Sequence, residues 1–208
     1  LLRGVPFYTI GEGKYLWIEG WIMVIQSMSY RFTVEDFQRM GNSSLFRKNE
    51  RVELIEGEII TMTPIGNRHA GCVLYLSHIF ARKLGNRALV NVQNPLELDE
   101  FSEPQPDITL LKPREDFYRE GHPRPGDVFL IVEVTASAED YDRDIKLPLY
   151  ARHGIPEFWI VDLLRKIIEV YRDPAGQQYQ SRTNSKPGDM ISTQTFPDVS
   201  FSVQDIVR

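Results

Sequence analysis

Two acidic residues stand where a metal-assisted hydrolytic site would need them. Glu133 interrupts the most strongly apolar strand-like segment of the chain, residues 128–135. An unpaired buried carboxylate is costly, so Glu133 requires a cation, a hydrogen-bond network or a place at a cleft. Asp107 begins another strand-like segment directly after Pro104-Gln105-Pro106. If the two carboxylates converge, they offer the hard oxygen ligands that suit Mg²⁺, which polarises a phosphoryl oxygen and lowers the pKa of a bound water.

A lysine in the following helical segment could supply positive charge to such a site. Lys146 shares one helical face with Arg143 and Tyr150, because the three residues are spaced by three and four positions. A lysine near the two acids could stabilise charge that develops on a phosphoryl group.

Each of these residues also has an ordinary structural interpretation. Asp107 could cap a turn, and Glu133 could end a strand facing solvent. Lys146 could be a surface lysine, since it lies in the charged run 139–146. The sequence pattern alone leaves both interpretations open.

Helical and strand periodicities indicate the elements that must position these residues. Thr33 is expected to cap a helix with Asp36, and Glu56-Gly57 to form the turn of a hairpin. A helix is predicted over residues 67–84 and ends at Gly85. A second helix is predicted over residues 138–153, and Pro148 should kink or divide it.

Strand-like segments alternate with these helices. Six are predicted, at residues 88–92, 95–98, 107–111, 128–135, 158–161 and 166–172. Residues 173–176 are predicted to form a turn, and weak strands follow. This order predicts an α/β or α+β fold with one sheet, in a single domain over residues 30–208.

Composition excludes several classes of protein. Cys72 is the only cysteine, so a disulfide framework and zinc sites built on cysteine pairs are excluded, and a cytoplasmic compartment is favoured. Cys72 itself is expected to be a core residue. The net charge of −5 argues against nonspecific coating of nucleic acid. No apolar stretch is long enough to span a membrane, and the glycine-rich nucleotide loops, the zinc-protease motif and the serine-hydrolase elbow are absent.

Residues 1–29 form an N-terminal extension of uncertain status, to which we assign no function. One hypothesis is that translation starts at Met23 or Met28, just before the clear pattern begins. The mass of the natural N-terminus would test it.

Several short motifs in a fixed order resemble those of the Uma2 (formerly DUF820) family, which belongs to the PD-(D/E)XK nuclease superfamily. The resemblance covers roughly residues 30–172. The matching stretches are VELIEGEI at 52–59, Pro64 with His69, QPD at 105–107, IVEVT at 131–135, DIKLPLY at 144–150 and GIPEFWIVD at 154–162.

The resemblance implies a restriction-endonuclease-like fold, a central mixed sheet flanked by helices, with a metal-dependent phosphodiesterase site. Asp107 matches the aspartate of the PD element and Glu133 the acid of the (D/E)XK element. Thr135 stands where the superfamily has its lysine, and Lys146 matches the position to which that lysine has moved in Uma2-like proteins. Glu53 matches a further acid of the first hairpin.

The resemblance also implies the cofactor and partners. Asp107, Glu133 and the backbone carbonyl of Val134 would bind Mg²⁺ or Mn²⁺, and Glu53 is a further candidate ligand. Three further residues are predicted to lie behind the site or to contact substrate: His69, Thr135 and Arg143. The expected function is an endonuclease acting on nucleic acid, with DNA favoured, and a homodimer and no membrane are expected. The alternatives are an inactive binding module with the nuclease fold and a hydrolase of another phosphate ester. Tyr150 and Trp159 are expected to be packing residues.

Overall fold

The computed structural model describes residues 29–208 except 44, 48–49, 63 and 137–140, and ahead of them the backbone of three strands. The chain divides into two compact units, Leu1–Arg31 and Phe32–Arg208. The first unit contains an antiparallel sheet of β1 (Phe7–Ile10), β2 (Gly13–Ile18) and β3 (Trp21–Ile25). None of the helices in the described part of the chain is long and apolar enough to cross a membrane.

The second unit begins with a helix, a hairpin and a longer helix. These are α1 (Val34–Asn42), β4 (Val52–Ile55), β5 (Glu58–Thr61) and α2 (Asn67–Leu84). The predicted capping box is present, because Thr33 and Asp36 exchange hydrogen bonds at the start of α1. Glu56 and Gly57 both have positive φ, as the predicted tight turn requires.

A six-stranded mixed sheet forms the centre of this unit. Its strands are β6 (Leu89–Val92), β7 (Ile108–Leu111), β8 (Val128–Thr135), β9 (Glu157–Asp162), β10 (Ile167–Ala175) and β11 (Gln178–Ser185). They lie in the order β11-β10-β9-β8-β7-β6, and only the β8–β9 pair is parallel. The expected α+β architecture with a central mixed sheet is therefore confirmed.

Helical segments complete the unit around the sheet. A π-helical turn at Asp142–Lys146 leads into α3 (Leu147–Arg152), and Pro148 lies in the first turn of α3. The sequence predicted that Pro148 would kink or divide the helix, and the structure shows a change from π-helix to α-helix at this point. The start of the predicted helix, residues 138–140, lies outside the described residues. The chain ends with β12 (Met190–Ser192), β13 (Ser200–Ser202) and α4 (Val203–Ile206).

Both faces of β8 are buried, as its apolar sequence predicts. Leu130 and Val132 pack in one cluster with side chains of α2, while Ile131 packs in a second cluster with side chains of α3. Alternation along the strand places Glu133 on the same face as Ile131. The acid is therefore directed to the side of the sheet where the π-helical turn and α3 lie.

Two local predictions were wrong. Residues 95–98 do not form a strand; the amides of Leu96 and Leu98 bond to the carbonyls of Pro104 and Ser102 in an irregular loop. The alternation of these leucines reflects their burial in the core rather than sheet pairing.

The turn predicted at residues 173–176 lies further along the chain. Strand β10 continues to Ala175, and the turn is at residues 176–177. Arg172 pairs with Glu157, the first residue of β9, so beyond it β10 loses its neighbour on that side. Pro174, which has no N–H, therefore breaks no hydrogen bond to β9.

Two leucines of α2 test the packing of the core. Leu76 is fully buried against the sheet, whereas Leu74 is 72% exposed. We expect Leu76→Ala to lower the free energy of unfolding by about 3 kcal/mol, because it leaves a cavity, and Leu74→Ala to change it by less than about 0.5 kcal/mol. Urea denaturation measures both values, and equal losses would contradict the described orientation of α2.

Candidate active site

A cavity of about 450 Å³ opens between the β4–β5 hairpin, the start of α2, the end of β8 and the π-helical turn. Every site residue predicted from the sequence lines it except Arg143. Asp107, Glu133 and Lys146 are buried. Their burial excludes the alternatives of a solvent-facing strand end for Glu133 and a surface lysine for Lys146.

Asp107 is held by side-chain and backbone donors. The ladder between β7 and β8 ends at the pair Ile108 and Val132, so the N–H of Val134 lies beyond the end of β7. That N–H donates instead to Oδ2 of Asp107, at 2.9 Å. Gln93 donates to Oδ1 at 3.0 Å.

Glu133 is joined directly to Asp107. The backbone N–H of Asp107 donates to Oε2 of Glu133 at 3.1 Å. The Oε1 atom accepts from Nζ of Lys146 at 3.0 Å and from the hydroxyl of Tyr150 at 2.9 Å. The neighbouring strands and the following helical segment therefore converge on this one carboxylate.

Glu53 brings the hairpin into the same cluster. Its Oε2 atom lies 3.4 Å from Nζ of Lys146 and accepts from the N–H of Gln105 at 3.2 Å. The hydroxyl of Tyr141 lies 3.4 Å from Oε1 of Glu53. Lys146 thus bridges two buried carboxylates that come from different sheets.

The two central acids have opposite tendencies to bind a proton. Burial raises the pKa of Glu133 to about 8, with the charges of Asp142, Asp107 and Glu53 adding to the shift and Lys146 opposing it. Burial would also raise the pKa of Asp107, but hydrogen bonds from His69, Gln93 and Val134 hold it below its ordinary value. Asp107 is therefore the stronger acid of the pair.

Lys146 remains a cation in this environment. Burial alone would lower its pKa, but the charges of Glu133, Glu53 and Asp142 more than compensate and raise it above the ordinary value. A permanent positive charge is consequently placed beside the acids.

His69 orients Asp107 from α2. Its Nε2 atom lies 2.8 Å from Oδ2 of Asp107. Because Asp107 is ionised and can only accept, Nε2 carries the proton and donates. Its Nδ1 atom is buried and has no hydrogen-bond partner among the residues that the structure describes. His69 thus lines the cavity and contacts an acid of the site.

Arg143 lies outside the cavity, and the structure shows why. Its guanidinium donates to Asp162 at 2.8 Å and to Glu169 at 2.6 Å, on two adjacent strands of the sheet. The π-helical turn includes both Arg143 and Lys146, so the face that regular helical spacing predicted is not preserved. The predicted contact of Arg143 with substrate finds no support in this arrangement.

The donor types of this site fit a hard divalent cation. Oδ1 of Asp107 and Oε2 of Glu133 each accept one described hydrogen bond, which leaves a lone pair on each oxygen. Mg²⁺ commonly uses one or two carboxylates and keeps several waters. Within the described ranges, however, no three His, Cys, Asp or Glu side chains are grouped closely enough to form a complete protein ligand set.

Four residues at the site were not identified from the sequence as functional. Gln93 contacts Asp107, Tyr141 contacts Glu53, Asp142 lines the cavity, and the hydroxyl of Tyr150 contacts Glu133. Tyr150 also packs in the core, as expected. Two of them had a sequence signal: Asp142 lies in the acidic run before Lys146, and Tyr150 lies four residues after Lys146 on the same predicted helical face.

Cys72 is a core residue, as expected. It is buried in α2, and burial followed by the charge of Asp107 raises the pKa of its thiol to about 12. The thiolate, which is the nucleophilic form, is therefore not populated at neutral pH.

Comparison with known proteins gave a family and a fold. The model of the Uma2 family, described as "Putative restriction endonuclease", matches residues 34–204. A crystal structure described as "a putative nuclease belonging to DUF820", from Anabaena variabilis, superposes with a TM-score of 0.66. It is 17% identical, and the match covers 85% of this chain and 97% of that chain, which shows a shared fold. None of the curated proteins matches this chain.

The ion pairs of Arg143 give a test of what holds the π-helical turn. Glu169 is fully buried and also pairs with Arg182, so Arg143→Ala removes one of its two cationic partners. We expect it to lower the free energy of unfolding by about 2 kcal/mol at neutral pH. Arg143→Lys, which keeps the charge and loses the planar fork, should cost less. Urea denaturation would distinguish the two variants.

The difference in the free energy of unfolding between wild type and Arg143→Ala depends on pH in a defined direction. Burial would raise the pKa of Glu169, but hydrogen bonds from Arg143 and Tyr171 hold it below its ordinary value of 4.5. The stabilisation is therefore complete above pH 4.5 and is lost as the pH falls through the lower, folded-state pKa. A difference between wild type and Arg143→Ala that is unchanged at such low pH would contradict this account.

Proposed function

The chain belongs to the Uma2 family, and on that basis we propose that it is a metal-dependent endonuclease that hydrolyses phosphodiester bonds in DNA. One observation carries the proposal: Asp107 and Glu133 are joined in one cavity, with the cation of Lys146 on Glu133. The description of the family as a restriction endonuclease supports a nucleic-acid substrate. A homodimer would provide the two sites that cleavage of two strands requires.

Asp107, Glu133 and the backbone carbonyl of Val134 are the groups that would bind Mg²⁺ or Mn²⁺. Such an ion would polarise a phosphoryl oxygen and lower the pKa of a bound water. His69, Gln93 and the N–H of Val134 fix the carboxylate of Asp107. These bonds pre-organise the acid, so that little reorganisation is needed during the reaction.

Lys146 contributes a positive charge to the cavity. It is held by Glu133 and Glu53, so its ammonium is positioned before substrate arrives. In our proposal this charge stabilises the negative charge that develops on the phosphoryl group, or orients the attacking water. Glu53 keeps the lysine in place and is a further candidate ligand.

The first experiment tests the central acids. We expect Glu133→Gln and Asp107→Asn each to reduce cleavage of supercoiled plasmid in Mg²⁺ or Mn²⁺ by at least about 100-fold, because each removes a carboxylate of the site. Agarose electrophoresis measures the rate, and EDTA should abolish it in the wild type.

Glu120→Gln is the matched control for these variants. Glu120 is exposed and does not line the cavity, so cleavage should persist at the wild-type rate. Circular dichroism must show that every variant is folded. Full activity in folded Glu133→Gln would defeat the assignment of this site.

A second test separates the role of Lys146 from that of the acids. We expect Lys146→Met to lower kcat for plasmid cleavage by about 100-fold with little change in KM, since its charge acts on the reacting group. Lys146→Arg should recover part of the loss. The exposed Lys186 provides the matched control variant, Lys186→Met. A loss confined to KM would instead indicate that Lys146 only binds substrate.

The alternative function is a binding module with a nuclease fold and no catalysis. One observation favours it: the described residues contain no three-ligand cluster, and Lys146 already neutralises Glu133. Isothermal titration with Mn²⁺ discriminates between the two functions. Binding that is lost in Asp107→Asn favours the nuclease, whereas folded wild-type protein that binds no metal favours the module.

A further inference from the structure

Arg51 lies at the open end of the β4–β5 hairpin, beside the proposed catalytic cavity. Its carbonyl accepts from the N–H of Met62 at 2.9 Å, which fixes the backbone at this point. Alternation along the strand places Arg51 and Glu53 on the same face, and both line the cavity. Val52, between them, packs on the other side in the cluster of Val34 and Phe37.

In the described part of the chain, the guanidinium of Arg51 is not paired with a carboxylate. Lys146, the other described lysine or arginine that lines the cavity, is paired with Glu133 and Glu53. Among the residues that the structure describes, none forms an ion pair with Arg51, and its Nη2 atom is shielded from water without a hydrogen-bond partner. An unsatisfied buried donor is uncommon and costly, so its retention calls for an acceptor that binds there.

A second cavity, of about 460 Å³, lies on the other side of Arg51. Of the described residues, Arg51 alone belongs to the walls of both cavities. The second cavity is lined by the partly buried ring of Phe46 and by the carboxylates of Glu50 and Glu103; Phe37 beside it is buried in the core, and the amide of Gln38 donates to Glu103. The ring of Phe46 is thus the group of this cavity that a nucleobase would stack on.

We infer that Arg51 binds a phosphodiester group of the nucleic-acid strand next to the one that is cleaved, where the strand passes from the catalytic cavity toward the second cavity. The inference rests on the proposed function, since it assigns a further part of the same substrate. A phosphate oxygen would supply the acceptor that Nη2 lacks, and the planar fork of the guanidinium matches phosphate geometry.

The charges of the catalytic cavity favour such a contact. Among the described residues, four carboxyl groups line it, from Glu53, Asp107, Glu133 and Asp142, against the two cations Arg51 and Lys146. A polyanion that enters meets repulsion from these acids. Since Lys146 is already engaged by two of them, Arg51 is the side chain of this cavity whose charge is available to the backbone of the strand.

Binding of a short fluorescein-labelled single-stranded DNA, measured by fluorescence anisotropy at several salt concentrations, tests the inference. Measurements in EDTA and in Ca²⁺ are compared for wild type, Arg51→Ala, Arg51→Lys and Arg82→Ala. Arg82 is an exposed residue of α2 outside both cavities, so its variant controls for loss of one positive charge. Circular dichroism and thermal melting verify folding, and Arg51→Lys provides a conservative variant if Arg51→Ala does not fold.

We expect Arg51→Ala to weaken binding about ten-fold and to reduce the slope of log K against log salt by about 0.7, the value for one phosphate contact on a single strand. Arg51→Lys should retain the slope and lose part of the affinity, and Arg82→Ala should change neither.

The outcomes separate this inference from the proposed function. If Arg51→Ala binds the DNA with the same affinity and the same salt slope as the wild type, the role of Arg51 is overturned. This outcome leaves the proposed function intact when the wild type cleaves plasmid. Binding that depends on Arg51 without any metal-dependent cleavage supports the role of Arg51 while the proposed catalysis fails. Wild-type protein that binds no DNA overturns both.

Discussion

An ionisable carboxyl group in the interior of a sheet must be matched by donors, because burial without them costs more free energy than a small domain can lose. Glu133 imposes this constraint on the second unit of the chain. Its two oxygens accept from the N–H of Asp107, the ammonium of Lys146 and the hydroxyl of Tyr150. Strand β7 and the helical segments after β8 therefore have to arrive at one point, and the cavity forms where they meet.

The cluster also explains how one pocket can keep two acids in different states. Each carboxylate accepts three described hydrogen bonds, but burial and the charges of neighbouring acids raise the pKa of Glu133, whereas the donors around Asp107 outweigh its burial. The acids that surround Glu133 therefore separate the two groups. Glu53, on the hairpin, is a third acid of the pocket and also pairs with Lys146. The charge of Lys146 is therefore balanced by carboxylates from two strands, β4 and β8. Arg51 lies at the rim of the same pocket, and no carboxylate of the described ranges pairs with it.

Sequence patterns predicted much of this arrangement. The apolar run around Glu133 identified a doubly covered strand, and the capping box and hairpin turn followed from local chemistry that needs no tertiary information. Helical spacing made Lys146 a candidate, but the choice against a surface lysine depended on the family resemblance, because its neighbour Asp144 is exposed and the charged run looks like a surface. Gln93 could not have been found, since its role arises from a contact across the sheet. Residues 95–98 were wrongly predicted to form a strand, because two buried leucines in a loop alternate with polar residues in the same way as in a strand.

The pairing of β8 with β9 has a consequence for the connectivity of the site. Parallel neighbours cannot be joined by a tight turn, so the chain must cross from one end of the sheet to the other before β9 can begin. Lys146 and Tyr150 both lie on that crossing, on the face where Glu133 projects. A lysine two residues after the acid, on the strand itself, would need no such detour. Here the crossover connection carries the lysine, so the positive charge of the pocket depends on the parallel pairing of β8 and β9.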